Sequence, residues 1–108
     1  MNPRTALLLS ILATTAHAGS FVDPQTFTPD QKQDVLDYIV ESVPDTDGAV
    51  LERLLERAEL RAFKTLIHAD DTDAYRTARR NCGTPCSYVM LELLYRAEER
   101  ASKQELAW

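Results

Sequence analysis

Apolar residues in this chain recur every three or four positions, and after residue 18 no long stretch alternates between apolar and polar side chains. That period restricts the fold to helices, because it lines one side of a 3.6-residue turn and would scatter over both faces of a strand. Val35, Leu36, Ile39, Val40 and Val43 make one stripe, and Leu51, Leu54, Leu55, Ala58, Ala62 and Leu66 a second. Cys86, Val89, Met90, Leu93, Leu94, Ala97 and Ala101 make another near the C-terminus. Between the second and last stripes, Tyr75 and Ala78 are the apolar positions of a shorter segment.

The boundaries carry their own signals. Thr28-Pro29-Asp30-Gln31 combines a capping threonine, a proline at the first helical position and a glutamine that closes a capping box. Pro44 ends the first helix, and Asp47 is the expected cap of a second that runs to about His68. The third helix is expected from Ala74 to about Asn81, with Gly83 as its stop. Thr84-Pro85 repeats the cap-then-proline pattern, which places Cys86 in the first turn of a fourth helix. The expected fold is therefore all-α, a small four-helix bundle of about three long helices and one short one.

The first 18 residues have a different character. Arg4 gives a positive start, Thr5 to Ala13 is an apolar run, and Ala16-His17-Ala18 places small residues three positions and one position before a cut. The run is far shorter than the ~20 residues needed to span a bilayer. It reads as a cleaved signal peptide over residues 1–18, followed by an unstructured lead over 19–27 and a helical domain over 28–108. The expected product is secreted or periplasmic, without a membrane anchor.

The mature part keeps all 17 acids and 11 of the 12 bases, a formal charge of −6. Nucleic acid and anionic membrane both require net positive surface, so neither is an expected partner. A domain of this size buries only about 60–65% of the surface its unfolded chain exposes, so a staple is useful. In an oxidising compartment the only two cysteines, Cys82 and Cys86, are expected to form a disulfide that pins the turn between helices three and four.

Few residues offer chemistry. Cys86 at a helix start, with Arg79 and Arg80 just upstream, has the surroundings that lower a thiol pKa. This makes a thiol-redox or copper(I)-handling pair the alternative reading, with Met90 and His68 as further soft or imidazole ligands. His68 is the only histidine after processing, and its place at a helix end suits capping or exposure. Asp45-Thr46-Asp47-Gly48 and Asp70-Asp71-Thr72-Asp73 read as helix caps, because a calcium loop around Gly48 needs oxygen ligands where Val43 and Leu54 stand and the second run has no glycine at the turn. No catalytic residue, metal site or cofactor is assigned.

Two helices carry more apolar surface than one stripe requires. Leu60, Phe63 and Ile67 lie roughly opposite the main stripe of helix two, and Tyr88, Leu91 and Tyr95 roughly opposite that of helix four. If both helices are central and pack on two sides, these triads are core; otherwise either is a candidate partner surface, the tyrosine one more so, since tyrosine combines apolar area with a polar tip. Arg53, Arg57, Arg61 and Lys64 form one flank of helix two, and Glu52, Glu56 and Glu59 the other. Arg76, Arg79 and Arg80 are candidate charged contacts for an acidic partner. The sequence thus points away from an enzyme. It points to a non-catalytic protein-binding module of inhibitor, immunity or adaptor type, with a homodimer as a further option.

Overall fold

The computed structural model describes residues 20–104, so the expected signal peptide lies outside the described residues. The chain there is helical, with no strand among the described residues. Four α-helices follow in order: α1 (Lys32–Ser42), α2 (Ala49–Leu66), α3 (Thr72–Cys82) and α4 (Tyr88–Lys103). Two are long, at 18 and 16 residues, and two are 11 residues, rather than three long and one short. Single 3-10 turns at Pro24–Thr26 and Pro29–Gln31 precede α1. Among the described residues, no helix is long and apolar enough to cross a membrane.

The helices form a row and do not close a ring. The backbone of helix α1 approaches α2, and its Tyr38 ring reaches Tyr88 of α4; α2 lies against α4, and α4 makes its most extensive contact with α3. The two ends of this row build two apolar clusters. One gathers Val35, Tyr38, Ile39, Ala62, Phe63 and Tyr88, and the other Leu66, Ala74, Tyr75, Ala78, Leu91 and Tyr95. Phe21 packs against both.

That contact overturns the expectation of an unstructured lead. Residues 21–27 are a strap laid into the fold, packed against it from Phe21 onward. Val22 and Pro24 are buried. The Phe21 ring sits edge-on to Tyr38 at 5.5 Å and 5.1 Å from the Tyr88 ring. The Val22 N–H donates to the Tyr88 hydroxyl at 3.1 Å, and that hydroxyl donates to the Val22 carbonyl at 2.9 Å. The Tyr75 hydroxyl donates to Asp23 Oδ1 at 2.5 Å. The Gln25 amide donates to the carbonyls of Leu66 and Ala69, where α2 ends and the chain turns. Composition alone conceals this strap because most of its bonds run to tyrosines and carbonyls more than 40 residues away.

The helix starts show the same division between local and distant control. The Thr28–Gln31 capping box forms, with the Thr28 N–H on Gln31 Oε1 at 2.9 Å. Asp71 caps α3 by accepting from the Ala74 N–H at 3.0 Å. Gly48, not Asp47, is the cap residue of α2; Thr46 turns back instead, its N–H on Glu52 Oε2 at 3.0 Å. Ser87, not Thr84, caps α4, accepting from the Met90 N–H. Glu59 of α2 decides that later start. Its carboxylate accepts from the Tyr88 N–H at 2.8 Å and the Ser87 hydroxyl at 2.6 Å, so a neighbouring helix holds the first turn.

Candidate interaction surface

Of the two readings of the tyrosine triad, core or candidate partner surface, the structure takes the first. Tyr88 and Leu91 are fully buried and Tyr95 nearly so. Their hydroxyls explain why a polar-tipped stripe goes inside: Tyr88 bonds the strap, and Tyr95 accepts from the Asp71 N–H while donating to Glu99. Burial pushes the Tyr88 phenol pKa well above its usual value, and it also raises those of Tyr38 and Tyr75. Tyr38, whose hydroxyl donates to the Cys86 carbonyl at 2.6 Å, ties α1 to the disulfide turn. In the other triad Phe63 is buried, whereas Leu60 and Ile67 are half-buried at the edge of a hollow.

The exposed apolar surface lies on the stripes that looked like core. On the first turns of α2, Val50 is 76% exposed, Leu51 51% and Leu54 54%. On α4, Met90 and Leu93 are 49% and 57% exposed. The cause is geometric. The contacts of α2 with α4 pair Glu59 with Ser87 and Tyr88 and gather Leu66 beside Leu91 and Tyr95, so α4 begins alongside the middle of α2. Among the described residues, no helix covers the leucine face of the N-terminal half of α2. A row of large side chains there is surface of the kind that marks interaction sites.

The basic trio divides. Arg79 is structural: its guanidinium lies 4.2 Å above the Phe21 ring and donates to the Gly83 carbonyl. Arg76 is exposed and pairs with Asp73, and Arg80 is exposed with a long contact to Thr77. The candidate charged contacts therefore reduce to Arg76 and Arg80.

Cys82 and Cys86 are joined, with Cα atoms 5.4 Å apart. Their setting differs from the one that activates a thiol. Cys86 precedes the cap of α4 and is 2% exposed, so it gains no free N–H groups from a first turn. Cys82 is the last residue of α3, the negative end of that helix dipole, which disfavours a thiolate. His68 lies just past α2 and is exposed. Comparison with protein-family models, with curated proteins and with solved structures found no match for this chain.

Proposed function

We propose that this chain is an exported, non-catalytic protein-binding module, processed after Ala18 and acting as an inhibitor, immunity protein or adaptor. The observation that carries the reading is the leucine face of α2. Val50, Leu51 and Leu54 stand more than half exposed on a small acidic domain whose four tyrosines and Phe63 are drawn into its core. Exposing such a row costs solvation free energy that a monomer with no use for it avoids by polar substitution. The use of Cys82 and Cys86 in redox or copper(I) chemistry has weaker support, because one sulfur is buried and neither sits at a helix N-terminus.

The test is affinity capture from the exported fraction with the tagged mature chain, beside a Leu51→Glu/Leu54→Glu variant. Both positions are exposed, so the variant should keep its helical circular dichroism and melt within about 1 kcal/mol of the parent. One near-stoichiometric partner retained by the parent and lost by the variant is the expected result. Capture of nothing by either chain overturns the reading, whereas equal capture by both removes the leucine face from it. A parent that doubles in mass where the variant stays monomeric assigns the face to self-association instead.

A further inference from the structure

The seam between α1 and α2 holds a second surface, distinct from the exposed leucine face. A hollow of about 400 Å³ opens there between the strap end and the two helices. Its floor is apolar, from Val35, Leu36, Leu60, Phe63 and Ile67, and its only charged lining residues are Lys32 and Lys64. A smaller hollow of about 180 Å³ continues it along the seam, sharing Leu36 and Leu60 and adding Val40, Arg57 and the Arg53–Glu56 ion pair. Together they make a trough that follows α2 from Arg53 to Ile67, about 21 Å at 1.5 Å per residue.

The unpaired charges beside the trough are one-sided. The α2 acids are all engaged: Glu52 by Thr46, Glu59 by the start of α4, and Glu56, which lines the smaller hollow, by Arg53. The bases have no such partners: among the described residues no carboxylate lies within ion-pair distance of Lys32, Arg57, Arg61 or Lys64. The acids of α1, Asp34, Asp37 and Glu41, fall on the side of that helix away from Lys32. A chain with five more acids than bases thus presents an apolar trough rimmed by unpaired cations. Both hollows are open along one side. An acyl chain lying there would leave much of its own surface in water, whereas good small-molecule sites bury most of the ligand. An amphipathic helix needs cover on one side only.

We propose that the α1/α2 trough docks an acidic amphipathic helix of a partner protein, its leucine-type side chains on the Leu36–Leu60 floor and its carboxylates facing Lys32, Arg57 and Lys64. The proposal rests on the protein-binding reading but concerns a different face, so the two fail separately. The probe is a capped synthetic 14-residue helical peptide with leucines at i, i+3, i+4 and i+7 spacing and glutamates on both flanks. Calorimetry and amide shift mapping follow its binding to the mature domain. Saturable binding is expected, with shifts confined to Leu36, Val40, Leu60 and Lys64. It should weaken at least about tenfold with Lys32→Glu/Lys64→Glu, and also when salt rises far enough to screen exposed charges. The salt series uses the parent protein, so it stands even if the double variant unfolds. No binding overturns the proposal, as does equal binding of a lysine-flanked peptide or of the double variant. Seating of dodecanoate in place of the peptide also overturns it and makes the trough an amphiphile site. Loss of peptide binding with Leu51→Glu/Leu54→Glu moves the peptide to the other face and removes only the trough.

Discussion

Replacing Tyr88 by phenylalanine removes one oxygen atom and tests whether the strap is part of the fold. The ring stays, so its packing against Phe21 at 5.1 Å and Phe63 at 4.9 Å is kept. What disappears is the hydroxyl that both accepts from the Val22 N–H and donates to the Val22 carbonyl. Val22 is buried, so both backbone groups lose their partner where water does not replace it easily. A buried polar group left unsatisfied costs about 1–3 kcal/mol, which puts the loss at about 2–6 kcal/mol. A domain of this length has a total stability of about 4–13 kcal/mol, so the change is a large fraction of it. At about 4–8 °C per kcal/mol, Tm should fall by at least about 8 °C. Thermal and urea denaturation followed by circular dichroism measure the loss, and hydrogen exchange at the Val22 amide shows whether the strap opens first. A fall of less than about 4 °C with the Val22 amide still protected would refute the idea that this hydroxyl anchors the strap.

Two further predictions concern pH and the disulfide. Burial holds the phenols of Tyr38, Tyr75 and Tyr88 protonated in the folded state, with Asp23 adding to the effect at Tyr75. The unfolded chain releases those protons near pH 10, so this stability is intact below pH 10 and declines above it by up to about 4 kcal/mol per pH unit. Phenolate absorbance from these three tyrosines should therefore rise together with loss of helix; smooth ionisation near pH 10 in a chain that stays folded contradicts the burial argument. Reducing the Cys82–Cys86 bond opens a five-residue loop worth about 2 kcal/mol. Tm should drop by about 8–16 °C while the helical spectrum at room temperature persists; an unchanged Tm would mean the bond adds no stability.

How much of this was legible beforehand follows the range of the forces involved. Helix identity and order come from apolar period, proline, glycine and capping residues, all interactions within four positions, and Thr28, Gln31 and Asp71 act as their spacing implies. The cysteine pairing also needed only two cysteines four residues apart. Which helix face turns inward is different. Periodicity finds a stripe but cannot say how far along a neighbouring helix its cover extends. Leu51 and Leu54 share a stripe with Ala62 and Leu66, yet only the latter pair lies alongside α4. Hydropathy also undervalues tyrosine, whose ring goes inside once its hydroxyl finds a distant partner, and the partners of Tyr75 and Tyr88 lie in a strap with no periodic signal. The sequence by itself determined that this chain makes four helices, where they begin to within a few residues, and that one disulfide closes the last turn. Only the tertiary structure decided that α4 starts beside Glu59, and that offset buries the tyrosines, orders the strap and leaves the α2 leucines in water.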